Sequence, residues 1–150
     1  MKDLSDLRLE RDFPVSVARL WQAITRPEEI VQWFGPEGVR LDRCEMDLRR
    51  TGPYLCVMIG KESGNRFVVS GQVTSVTPPE SGSGSVALTW GWHDDQDRRG
   101  PESFVTFSVA ATENGARLVL EHRDLTDAEN MVNHERGWTS TLEKIAAYLG

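Results

Sequence analysis

Two periodicities divide the chain. Between residues 37 and 122 apolar positions recur at every second residue, whereas segments 16–34 and 126–150 repeat every three to four. The first change of period is sharp. Leu7-Arg8-Leu9-Glu10-Arg11-Asp12-Phe13 alternates as a strand and stops at Pro14. Ser16 then stands ready to cap a helix in which Val17, Leu20, Trp21 and Ile24 share a face. Arg26-Pro27 interrupts it, and Pro27 suits the first turn of a second, shorter helix running through Phe34. Gly35-Pro36 ends that one.

The period-two region predicts strands at 38–46, 53–61, 66–77, 85–92, 103–111 and 116–122. The breaks hold Thr51-Gly52-Pro53, Ser63-Gly64-Asn65, Pro78-Pro79, Gly100-Pro101 and Asn114-Gly115. Asn114-Gly115 predicts a two-residue hairpin turn with positive φ at both residues. Glu80 to Ser85 predicts a flexible loop; it lacks the lysine and following helix of a phosphate-binding loop. Links this short imply an antiparallel meander.

The final segment, 126–150, predicts the longest helix. Thr126 and Glu129 have capping-box spacing, and Gly150 marks a stop. Met131, Glu135, Trp138, Leu142, Ile145 and Leu149 fall on one face, with His134 beside it. Glu135 breaks this stripe, and Gly137 costs about 1 kcal/mol relative to alanine inside a helix. Such a helix fits the cover of a cavity better than the cover of a solid core. The chain is therefore α+β: a curved seven-stranded antiparallel sheet around a long C-terminal helix, with two short helices after strand 1.

The strand faces carry the material for such a cavity. Val86, Leu88, Trp90 and Trp92 share one face, as do Val105, Phe107, Val109 and Ala111, and then Leu118, Leu120 and His122. Tyr54, Cys56 and Met58 oppose Leu55, Val57 and Ile59, so the orientation of that strand stays open. Bulky aromatics beside isolated polar groups suit a ligand pocket as well as a filled core.

Composition narrows the partners. The 150 residues suit one domain, with 39% hydrophobic and 27% charged residues, ordinary for a globular chain. A net charge of −6 and a pI near 5.1 disfavour nucleic acid. No apolar run reaches a membrane span, and the charged N-terminus lacks a signal-peptide core, which leaves the cytoplasm as the expected address. Cys44 and Cys56 read as reduced thiols with no zinc spacing.

Candidate chemistry centres on His93, His122 and His134. His134-Glu135-Arg136 opens like a zinc-protease motif but lacks the second histidine. The loop from Asp95 has Arg99 at a calcium-ligand position and Thr106 where the bidentate glutamate belongs, so no metal site is expected. No cofactor is expected either. His122 with His134 or Glu135 is the polar set that can orient a ligand or act as base and polariser. Cys56 paired with a histidine is a weaker nucleophile candidate than a buried thiol.

Arg11-Asp12-Phe13-Pro14, Leu20 to Thr25, Pro27-Glu28 and Trp33-Phe34-Gly35-Pro36 together resemble the opening of the heat-shock-chaperone ATPase activator-like family. Leu118 to His122, His134 to Trp138 and Tyr148-Leu149 resemble its ending, whereas Gly52-Pro53 stands where relatives often have two glycines. That family belongs to the START-like (SRPBCC, helix-grip) superfamily. The resemblance implies a helix-grip fold with an elongated cavity, which in the superfamily takes lipids, sterols, polyketides and other apolar molecules. It places Trp33, Phe34, Trp90, Trp92, His122, Met131, His134 and Trp138 at the cavity or its entrance.

Three functions follow as expectations. The first is non-catalytic binding of a small hydrophobic or aromatic ligand, by a monomer or homodimer. The second is a polyketide cyclase-like or hydrolytic enzyme using His122, His134 and Glu135. The third is a stress-response co-chaperone of the ninety-kilodalton heat-shock ATPase, although 150 residues leave room for this domain alone.

Overall fold

A computed structural model describes residues 6–125 and 128–150, with side chains except those of 128–132. Its elements are β1 (Leu7–Phe13), α1 (Val17–Thr25), α2 (Pro27–Trp33), β2 (Val39–Glu45) and β3 (Gly52–Gly60). Then come β4 (Arg66–Thr77), β5 (Ser83–Trp92), β6 (Ser103–Thr112), β7 (Gly115–Arg123) and α3 (Ala128–Leu149). The sheet order is β1-β7-β6-β5-β4-β3-β2, with every neighbouring pair antiparallel. Strands β2 to β7 follow one another as hairpins. Only the first strand is displaced, and α1 and α2 carry the chain from its edge to the opposite one.

Register shifts between Leu41 and Arg43 and between Val73 and Ser75 interrupt the ladder, and extra residues of this kind bend a strand. The curved sheet and α3 make the expected helix-grip architecture. The inner strand faces are those expected: Val86, Leu88 and Trp90, then Val105, Phe107 and Val109, then Leu118, Leu120 and His122 are buried. Ala111 is the exception, lying exposed at the end of its strand. The orientation of β3 is also settled, because Tyr54, Cys56 and Met58 join the core cluster.

The helical pair is locked from both sides. Ser16 caps α1 by accepting the Arg19 amide at 3.1 Å. The Trp33 indole donates to the Ala23 carbonyl at 2.8 Å, tying α2 to α1. Glu29 is buried, and burial by itself would raise its pKa; hydrogen bonds from Arg19 and Tyr148 reverse this and hold the carboxyl below its usual range. Tyr148 Oη reaches Glu29 Oε1 at 2.8 Å, so this charge fastens the end of α3 to the helical pair.

Three expectations change on contact with the structure. The two-residue turn between β6 and β7 is Glu113-Asn114, and neither Asn114 nor Gly115 has positive φ. Gly115 is needed for another reason: a β-carbon there would stand 2.1 Å from the Phe13 carbonyl oxygen. The loop foreseen at 80–85 is shorter, because Ser83 to Ser85 pair with β6 and form the start of β5. Glu135 is exposed, and the buried face of α3 runs through His134, Trp138, Thr141, Leu142 and Ile145 instead. Trp138, Leu142 and Ile145 keep their places, and His134 takes the one expected of Glu135, because a neutral imidazole can be satisfied inside, whereas a lone carboxylate is costly to desolvate. The Thr126–Glu129 cap and the Met131 side chain lie outside the described residues. Among the described residues no helix is long and apolar enough to cross a membrane.

Candidate functional site

Between the first half of α3 and the sheet lies a cavity of about 250 Å³. A loop, three strands and a helix supply its walls. From the loop after α2 come Phe34, Gly35 and Pro36; from β3, β4 and β5 come Met58, Phe67, Trp90 and Trp92. From α3 come Asn133, His134, Gly137, Trp138 and Thr141, recurring at helical spacing. Phe67, 42% exposed, and the exposed Asn133 mark the mouth.

Gly35 sets one wall. Its φ of +92° favours glycine, and a β-carbon would stand 3.0 Å from both Met58 Sδ and Val39 Cγ2. Lys144 Nζ donates to the Gly35 carbonyl at 3.0 Å, and the Glu37 amide donates to Ser140 Oγ at 2.8 Å. These two bonds hold that loop against α3. Gly137 has the opposite character, since a β-carbon there would meet nothing within 4 Å. It faces open space, so its missing side chain enlarges the cavity and no strand needs the gap.

The aromatic rings form one connected cluster. Trp90 is central, with ring centroids 5.1 Å from Trp138, 5.6 Å from Trp92 and His122, and 6.2 Å from Phe34. Tilted and edge-on contacts at these separations are the favourable ones.

His122 and His134 are each tied to an indole. Trp138 Nε1 donates to His122 Nδ1 at 3.0 Å, and Trp92 Nε1 donates to His134 Nε2 at 2.9 Å. An indole N–H only donates, so the receiving nitrogens carry no proton. The proton of neutral His122 therefore sits on Nε2 and is given to Ser103 Oγ at 2.7 Å. Ser103 passes its own proton to the Trp90 carbonyl at 3.3 Å. Burial, and then the neighbouring His134, push the His122 pKa down to about 3. His122 is built to stay neutral.

Of the residues expected at the site, Phe34, Trp90, Trp92, His134 and Trp138 line the cavity. Trp33 does not; it is 1% exposed and serves the junction of the two short helices. His122 stands behind the wall, reaching it through Trp138. Glu135 points to solvent and does not complete the polar set. The sequence reading missed Met58 and Phe67, which pair across β3 and β4, and Thr141, which follows His134 by two helical turns. Their periodicities held the signal.

Cys44 and Cys56 face one another across β2 and β3 as free thiols. The hydrogen bond with Cys44, together with burial, pushes the Cys56 thiol far up, so Cys56 is no nucleophile at neutral pH, while the same bond draws the Cys44 thiol down. A second polar chain joins Ser70 Oγ to His93 Nε2 at 2.7 Å and His93 Nδ1 to Asp97 at 2.8 Å. Ser70 and His93 alternate with the inward residues Val69 and Trp92, so this chain lies on the outer sheet face. It resembles a nucleophile relay in connectivity, but it binds the 93–100 hairpin to β4 away from the cavity.

Comparison with known proteins agrees with this fold. Residues 14–150 match the family model described as Activator of Hsp90 ATPase homolog 1-like protein. The crystal structure of an AHSA1 protein from Silicibacter pomeroyi is 49% identical, with a TM-score of 0.87 over 96% of each chain. A protein from Chromobacterium violaceum shares the fold at 24% identity, with a TM-score of 0.83 over 96% of each chain. One from Mycobacterium smegmatis does so at 22% identity and a TM-score of 0.79, covering 99% of this chain and 92% of its own. No curated protein matches the chain.

Proposed function

Because this chain belongs to the Activator of Hsp90 ATPase homolog 1-like family, of START-like fold, we propose that it binds a compact apolar or aromatic molecule. The molecule sits in the cavity under the first half of α3. The observation that carries this reading is Gly137: a helix-interior glycine, unfavourable by itself, faces open space inside an aromatic wall.

Size supports a small occupant. About 250 Å³ lies below the usual range of drug-sized pockets and above the roughly 150 Å³ that holds benzene. One or two rings, or a short branched chain, fit it. The state of the histidines favours binding over catalysis. A general base needs a free lone pair, and indole N–H groups occupy the acceptor nitrogens of His122 and His134. The cyclase or hydrolase alternative would have to break these bonds first.

Titration with small aromatic compounds should quench tryptophan fluorescence saturably, and Trp138→Ala should weaken this in a protein that still folds. A panel of one- and two-ring compounds that leaves the spectrum unchanged would end the proposal. The co-chaperone reading rests on the family match alone. Its check is an ATPase assay with the purified ninety-kilodalton heat-shock protein, in which we expect no stimulation by this protein.

A further inference from the structure

Outside the aromatic cavity, the free thiols of Cys44 on β2 and Cys56 on β3 stand directly opposite one another. The kind of opposition matters. Beyond them on β3, Gly60 gives its amide to Asn65 on the β4 side, and Lys61 gives its amide to Gly38 on the β2 side. Backbone groups alternate in direction along a strand, and the β3–β4 register is unbroken from Gly52 to Ile59. Cys56, four residues before Gly60, therefore also directs its amide and carbonyl toward β4. The register shift in β2 falls before Cys44 and leaves this alternation untouched.

Cys44 and Cys56 are thus a non-hydrogen-bonded pair, the class in which facing side chains come closest. Such a pair sets its α-carbons about 4.5 Å apart, inside the roughly 4.4 to 6.8 Å that a disulfide spans. A bond between the two sulfurs needs little backbone movement.

The thiols differ in access. Cys56 has no exposed surface, whereas Cys44 is half-buried. Cys44 lines a groove of about 460 Å³ whose far side is formed by Val31, Phe34 and Lys144. These residues stand over the inner face of β2, the face Cys44 shares with Cys56, so its thiol is approached from this groove. They differ in acidity as well. The hydrogen bond from Cys56 outweighs burial and draws the Cys44 thiol below its ordinary range. Cys44 is the thiol that ionises first, and Cys56 holds the proton beside it.

We propose that Cys44 and Cys56 form a redox pair that hydrogen peroxide oxidises to an intramolecular disulfide, with Cys44 attacking and Cys56 resolving. The Cys44 thiolate attacks one peroxide oxygen, the O–O bond breaks, and the departing hydroxide takes a proton from solvent to leave as water. Cys44 is then a sulfenic acid. The Cys56 sulfur attacks the Cys44 sulfur, the S–O bond breaks, and the hydroxyl leaves with the Cys56 proton as a second water. Two electrons pass from the sulfurs to the peroxide, and a dithiol reductant returns them. None of these steps requires an occupied cavity.

To test this, the reduced chain is freed of reductant and treated with hydrogen peroxide at neutral pH. Catalase then removes the peroxide, and the protein is denatured and alkylated. Mass spectrometry should show a single chain lighter by two hydrogen atoms, with neither cysteine alkylated and their two peptides joined until reduced. Cys56→Ala should stop at a Cys44 sulfenic acid that dimedone traps. In Cys44→Ala, Cys56 should be consumed about tenfold more slowly than in wild type, or slower still.

Two alkylatable thiols, after an exposure that oxidises a cysteine-containing peptide, overturn the proposal. A disulfide joining two chains does so as well, and so does consumption of Cys56 at the wild-type rate in Cys44→Ala. Should a variant fail to fold, the wild-type product decides. Sulfinic or sulfonic acid on Cys44 beside a free Cys56 would show that no resolving attack occurs, and would end the proposal.

Discussion

The two halves of α3 share one helix and one inward face, yet they do different work. In the second half Leu142 and Ile145 are buried in the core, and Tyr148 and Lys144 tie the helix to Glu29 and the Gly35 carbonyl. In the first half His134, Gly137, Trp138 and Thr141 face a cavity. The difference does not lie in helix period, which is continuous. It lies in what each position can complete: the second half has apolar side chains to fill space, and the first has a glycine and donor–acceptor pairs that keep rings in place around a gap. Stability should therefore be concentrated in one half and binding in the other.

The largest expected effect tests the filled half. Ile145→Ala, at a residue with no exposed surface, should lower the unfolding free energy by about 4 kcal/mol and leave ligand affinity unchanged. Denaturant titration and fluorescence binding measure the two. A loss below about 1 kcal/mol would mean that this half is loosely packed as well.

The second prediction concerns pH and the hollow half. The folded-state pKa of His122 is lowered to about 3, against about 6.5 unfolded. Between these values the unfolded chain binds more protons. His122 therefore costs no stability above pH 6.5 and takes progressively more as pH falls toward 3. From pH 7 to pH 4 its share is about 3 kcal/mol, at about 1.4 per unit. The loss over this interval should be smaller by that amount in His122→Gln than in wild type. Equal losses would show that the imidazole is not held neutral by its surroundings.

Gly137→Ala sharpens the contrast by moving stability and binding in opposite directions. The added methyl meets open space, so the helix should gain about 1 kcal/mol while the ligand loses volume and binds several-fold more weakly. A gain in stability with unaltered affinity would place the ligand elsewhere. The smallest effect belongs to Glu135→Gln, which should change stability by less than about 0.5 kcal/mol and binding not at all, because the side chain is solvent-exposed. Any marked change would restore Glu135 to the site.

Much of this was legible in the chain. The change of period marked the strands to within two residues at their ends, and the proline and glycine breaks marked the turns, because side-chain alternation and backbone restriction are local properties. Five cavity residues were legible too: Phe34, Trp90, Trp92, His134 and Trp138. Trp33 was misassigned because a tryptophan on an inner face can either line a space or, as here, reach a backbone carbonyl and close one. His134 and Glu135 stand four and three residues before Trp138, so either can share its face, and periodicity does not choose between them.

The sequence by itself determined the elements, their order and the aromatic material of the inner face, since each follows from neighbours along the chain. Tertiary structure alone decided the pairing of two histidines with two indoles and the neutral state of His122. Hydrogen-bond partners here are 16 and 42 residues apart in sequence, so only the closing of α3 over the sheet fixes which donor meets which acceptor.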